Sequence, residues 1–169
     1  FRDQLDTGLT IYIEYSNEVW NWIFEQAHYN DQFRPLHLGY GRAMAAKAGR
    51  IFRIWHDVFG ADKHRVKRVV GIQAGYNDLN EQILTQLDQD EWDYGSPTHY
   101  VGLDHSASGM PVLNASSNPE DILENARNAF LGFKESVRQD YRNIQVLGKE
   151  VITYEGGQHF VGNVFGVPY

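Results

Sequence analysis

The sequence predicts an α/β fold built on a parallel sheet. Three observations carry that expectation. Short β-branched runs alternate with longer amphipathic stretches, in the order strand, helix, strand, helix, strand, helix, strand. Such alternation implies parallel strands joined by helical crossovers. Two of the runs end in a carboxylate, at Tyr15-Ser16-Asn17-Glu18 and at Tyr154-Glu155-Gly156-Gly157. Hydrophobic residues make up 42% of the 169, enough to bury a core and to argue against disorder.

Leu9 to Tyr15 is the first predicted strand, rich in Ile and Tyr and preceded by the turn signal Asp6-Thr7-Gly8. Helix is expected from about Val19. Gly39 to Phe59 is the clearer helix, with Met44, Ala48, Ile51, Trp55 and Val58 on one stripe, and Gly60-Ala61-Asp62 breaks it. Val66 to Gln73 is the second strand, and Leu79 to Glu91 a short helix. His99 to Asp104 is the third strand, followed by a Ser-, Gly-, Asn- and Pro-containing loop from Ser106 to Asn118. The best-signalled helix starts there. Asn118 is its expected N-cap, Pro119 suits the first helical position, and Glu120 and Asp121 complement the positive helix end. Its apolar stripe is Ile122, Ala126, Ala129, Phe130, Phe133, Val137 and Tyr141. Gly148 ends the connection, and Val151 to Tyr154 is the fourth strand.

The net charge of −7 argues against a nucleic-acid partner, because phosphate binding wants clustered Lys and Arg. Zero cysteines excludes disulfides and thiol chemistry. No apolar run is long enough to span a membrane. The chain opens Phe1-Arg2-Asp3-Gln4, without an initiator Met, so a processed or excised chain is expected. No internal repeat is visible.

In a parallel α/β architecture the carboxyl ends of the strands share one face. Glu18 and Glu155, distant in sequence, are thereby expected in one cleft. Paired carboxylates in a cleft are what glycoside hydrolysis needs: one protonates the leaving oxygen, the other attacks the sugar carbon. The competing reading makes Glu18 an acidic residue in the first turn of a helix, favoured by the helix dipole.

The wider context favours the cleft. Ile11-Tyr12-Ile13-Glu14-Tyr15-Ser16-Asn17-Glu18-Val19-Trp20-Asn21 resembles the fourth strand of clan A glycoside hydrolases, which are TIM barrels; there an Asn-Glu pair closes the strand and the Glu is the acid/base. Val151-Ile152-Thr153-Tyr154-Glu155-Gly156-Gly157 is similar to the seventh strand, whose terminal Glu is the nucleophile. The resemblance implies a partial (β/α) TIM barrel over residues 1–169, about four strands, and a fragment of a longer catalytic domain. It implies retaining hydrolysis of an O-glycosidic bond, with Glu18 as acid/base, Glu155 as nucleophile and Asn17 holding a sugar hydroxyl. It implies a carbohydrate substrate, no cofactor and no metal, and a secreted or periplasmic setting. A full barrel needs roughly 250 residues. Four strands cannot close, so the implied partner is the remainder of the barrel or a second copy.

Clan A enzymes commonly carry a Tyr at the end of strand six that bonds the nucleophile. Here the region reads Val101-Gly102-Leu103-Asp104-His105, and His105 is either the replacement donor to Glu155 or a loop His bonded to backbone. His159 follows Glu155 closely and is a candidate substrate contact. Trp20 is the candidate sugar platform, while Trp22 is assigned to core packing. Gln73, Tyr76 and Asn77 follow the second strand and are candidate hydroxyl binders. Glu14 shares the strand face of Tyr12 and Ser16 and is not expected to be catalytic. His99, Asp104, His105 and His159 lack the spacing of a zinc motif. Gly39-Tyr40-Gly41 fails as a dinucleotide fingerprint, since no strand precedes it. Ser108-Gly109 fails as a nucleophile elbow. Asn114-Ala115-Ser116 is a glycosylation sequon in a eukaryotic secretory setting. Two readings stand beside the hydrolase: a non-catalytic carbohydrate-binding domain, and a structural α/β domain whose acidic motifs are coincidental.

Overall fold

The computed structural model describes residues 1–104, 113–114 and 116–160. His105 and the loop expected over 106–112 lie outside these residues. The fold is α/β with a parallel sheet. Four strands, β1 (Ile11–Glu14), β2 (Val66–Ile72), β3 (Tyr94–Pro97) and β5 (Glu150–Val151), lie side by side in that order, every pair parallel. A second, two-stranded parallel ribbon joins β4 (His99–Val101) to β6 (Gly156–Gln158). The helices are α1 (Glu25–Asp31), α2 (Arg34–His37), α3 (Tyr40–Phe59), α4 (Asn77–Gln86) and α5 (Pro119–Gln145).

The strand begins after Asp6 accepts a hydrogen bond from the Gly8 amide at 2.8 Å, an Asx-type turn. No helix starts at Val19. Residues 18–24 form successive turns instead, and α1 begins only at Glu25. Glu18 has a left-handed backbone (φ 42), which cannot open a right-handed helix. Glu18 is therefore outside any helical first turn.

α3 buries Gly41, Met44, Ala45, Ala48, Phe52 and Phe59. The buried stripe is rotated from the expected one: Phe52 and Phe59 are inside while Val58 is exposed. Packing against α4 sets that face. A Cβ on Gly41 would sit 2.8 Å from both the Leu79 carbonyl and Gln82 Cβ, so glycine permits the close approach. The expected break at Gly60 is a 3₁₀ turn, Gly60–Arg65, leading into β2.

The third strand of the sheet is Tyr94–Pro97 rather than His99–Asp104; His99–Val101 belongs to the ribbon. Its composition reads as a turn. Burial makes it a strand: a Cβ on Gly95 would sit 2.5–2.9 Å from three side-chain carbons of Ile144, so α5 presses directly on the glycine backbone. The fourth strand is likewise divided, with Glu150–Val151 in the sheet and Gly156–Gln158 in the ribbon.

α5 starts as expected, with the Asn118 side chain accepting from the Asp121 amide at 2.8 Å. Its buried residues are Asn125, Ala126, Asp140 and Ile144, whereas Phe130 and Phe133 are exposed. The hydrophobic core joins Ile13, Val66, Val70 and Ile72 of the sheet to Met44, Ala48, Phe52, Ile83, Leu84, Trp92 and Ile144. On the opposite sheet face Tyr12 is 58% exposed and its ring lies 5.8 Å from that of Tyr94. The helices thus cover one face, and the sheet is open, not a closed barrel. Among the described residues no helix is long and apolar enough to cross a membrane.

Candidate active site

The parallel strands deliver their carboxyl ends to one side, where Glu18 and Glu155 both lie within Coulombic reach of the Tyr100 and Tyr154 hydroxyls. β1 ends at Glu14, and a tight turn brings Glu18 over the sheet end. The Asn21 side-chain amide donates to Glu18 Oε2 at 2.9 Å, and the Tyr154 hydroxyl lies 3.5 Å from Oε1. Glu155 is the neighbour that acts most on the Tyr100 hydroxyl, and with burial and the charge of Glu18 it pushes that hydroxyl up to about 12. The Tyr154 hydroxyl is raised as well, first by burial; its bond to Thr98 opposes the rise, while Glu18, Glu155 and Glu14 add to it. Both tyrosines respond to both glutamates, which places the two carboxylates in one electrostatic environment.

A cleft of about 530 Å³ opens here, lined by Glu18, Trp20, Asn21, Trp22, Ile23, Gln73, Ala74, Thr98 and Tyr100. A neighbouring pocket of about 420 Å³ runs down the open sheet face past Tyr12, Glu14, Val69 and Tyr154. Among the described residues neither lining includes a Lys or Arg. Glu14 is a third carboxyl at the boundary. Burial first, then the charges of Glu155 and Glu18, raise it to about 7.

The expected site residues divide. Glu18, Trp20 and Gln73 line the cleft, and Glu155 is not among its lining residues. His159 is exposed, with its ring 4.8 Å from that of Tyr100. Asn17 is exposed, its carbonyl accepting from Gln26 at 2.8 Å; Asn21, not Asn17, bonds Glu18. Tyr76 and Asn77 are exposed at the start of α4 and are not among the residues lining the cleft. Both tryptophans line the cleft: Trp20 is 8% exposed and packs at the same time in the core, whereas Trp22, assigned to core packing, is 48% exposed.

Tyr100, Asn21, Tyr154 and Thr98 were not singled out in the sequence. For Tyr100 a signal exists: it lies in the short run His99-Tyr100-Val101, and placing the strand end at Asp104 hid it. His99 stacks on Tyr141 at 5.5 Å, with both ring nitrogens buried and without a hydrogen-bond partner among the described residues. Among the described residues no group of three or more His, Asp or Glu is arranged to hold a metal ion.

The arrangement sets one carboxylate held by an amide, Glu18, beside an exposed aromatic ring, with a second carboxylate, Glu155, acting on the same tyrosine hydroxyls. Comparison with protein-family models, with curated proteins and with solved structures found no match.

Proposed function

We propose that this chain carries the catalytic pair of a retaining glycoside hydrolase on one half of a (β/α) barrel. The observation that supports the reading is that Glu18, which lines the cleft, and Glu155, from the other end of the sequence, act on the same two tyrosine hydroxyls, Tyr100 and Tyr154. Glu155 attacks the anomeric carbon and forms a glycosyl ester as Glu18 gives its proton to the departing oxygen. Glu18 then takes a proton from water, which attacks the same carbon and frees Glu155. Asn21 holds Glu18 through Oε2.

The barrel half is proposed from the open sheet. β1 and β5 are its two outer strands, and parallel sheets are ordinarily covered on both faces. A further four strands, from a longer chain or a second copy, would cover the Tyr12 face.

The experiment is hydrolysis of cello-, manno- and xylotetraose followed by proton NMR of the first product anomer. Retention is expected. Glu155→Gln should lower the rate by about a thousandfold or more. Inversion, or full activity in Glu155→Gln, would overturn the assignment. A second reading is a carbohydrate-binding domain without turnover, favoured by the exposure of Glu155 on the open side. Binding of glycan without release of reducing sugar would establish it.

A further inference from the structure

Trp22 is the most prominent exposed aromatic group of the cleft, and it is built in rather than loose. Its ring packs on that of Tyr40 at 5.0 Å and meets the edge of His28 at 5.5 Å. His28 Nε2 hydrogen-bonds the Trp22 carbonyl at 3.0 Å. Tyr40 is itself pinned, its hydroxyl donating to the carbonyls of Val19 at 2.5 Å and Ala27 at 3.0 Å. Two rings, Tyr40 and His28, therefore support the Trp22 ring from the protein side, while 48% of the residue remains exposed. Ile23 continues the apolar surface. The rest of the lining near it is polar, with Glu18, Asn21 and Gln73.

A rigid aromatic face in a polar cleft matches a pyranose, which is apolar on its C–H faces and polar around its rim. The position also has a direction. Asn21, next to Trp22, bonds Glu18, and Glu18, Asn21 and Trp22 all line the cleft, whereas Glu155 is not among its lining residues. The ring therefore belongs to the Glu18 side of the cleft.

We propose that Trp22 is the platform of a leaving-group subsite, which takes the sugar ring on the departing side of the scissile bond. The direction of this subsite rests on the assignment of Glu18 as proton donor. The platform itself rests on the packing of the ring. The substrate class that follows is an oligo- or polysaccharide, not a glycoside of a small polar alcohol.

The test compares wild type, Trp22→Ala and Trp22→Phe on cello-, manno- and xylotetraose and on the corresponding glycosyl fluorides, whose leaving group has no ring. For the tetraose that is cleaved, Trp22→Ala should lower kcat/KM by about ten- to hundredfold. The fluoride should change less than about twofold, because it places nothing on the platform. Trp22→Phe should restore most of the loss. Equal losses on both substrates, or no loss on the tetraose, would overturn the proposal. If wild type cleaves nothing, tetraose binding is read by tryptophan fluorescence and calorimetry. A tenfold weaker affinity in Trp22→Ala then supports the platform while the hydrolase reading falls. Unchanged affinity, or no binding at millimolar sugar, overturns the platform.

Discussion

Glu14 leaves β1 beside Gly71, where Trp20 also packs, and its Oε1 is buried without a hydrogen-bond partner among the described residues. A Cβ at Gly71 would collide with that oxygen, so glycine opens the space the carboxyl fills. With Glu18 and Glu155 within Coulombic reach and no cation opposing them, Glu14 holds its proton up to about pH 7, against an ordinary value of 4.5. The folded chain therefore binds a proton that the unfolded chain releases between those two values. Stability falls as pH rises from about 4.5 to about 7, and the loss is complete above that. Glu14→Gln removes the penalty. It should stabilise the fold by about 1–3 kcal/mol at pH 8 and by little at pH 4.5. Urea melts of both proteins at the two pH values check this; equal differences at both would refute it.

The elements divide by how local their causes are. α5 is set by its own sequence: Asn118 caps it, Pro119 starts it, and Glu120 and Asp121 face its positive end. Asn118→Ala should cost about 1 kcal/mol, and Asn118→Asp almost nothing, because Asp caps equally well. Thermal unfolding reads both, and a loss as large in the Asp variant would remove the cap as the cause. The α3 and α5 ranges, the first two strands and the cap were legible because periodicity and capping are short-range signals. β3 was not. Tyr94-Gly95-Ser96-Pro97 carries few β-forming residues, and it is a strand because β2, β5 and Ile144 enclose it. The faces of α5 were legible only in part, since Asn125 and Asp140 occupy buried positions that hydrophobicity assigns to apolar residues.

Across the whole molecule, those buried polar residues tie the far helix to the cleft. Asp140 is fully buried and accepts from the Gly75 amide at 2.8 Å and the Asn80 side chain at 3.1 Å. Asn80 in turn accepts from the Gln73 amide at 3.1 Å and donates to its carbonyl at 2.7 Å. α5 and α4 thereby clamp the loop that carries Gln73 into the cleft. Asp140→Asn places a donor where two donors already point. It should destabilise by about 1–3 kcal/mol and weaken tetraose binding. Thermal melts and calorimetry at a temperature where the variant is folded separate the two effects; unchanged binding would show that the clamp is structural only.

The sequence by itself determined the alternation of strands and helices and the start of α5, because each depends on residues a few positions apart. The tertiary structure decided the rest. It ended β1 at Glu14, four residues before Glu18, and left Glu155 between β5 and β6 rather than at the end of a strand. It made Trp22 rather than Trp20 the exposed ring, raised Glu14, and drew β3 out of a turn-like segment. Each of these depends on which distant groups come within a few ångströms, and neither periodicity nor propensity encodes that distance.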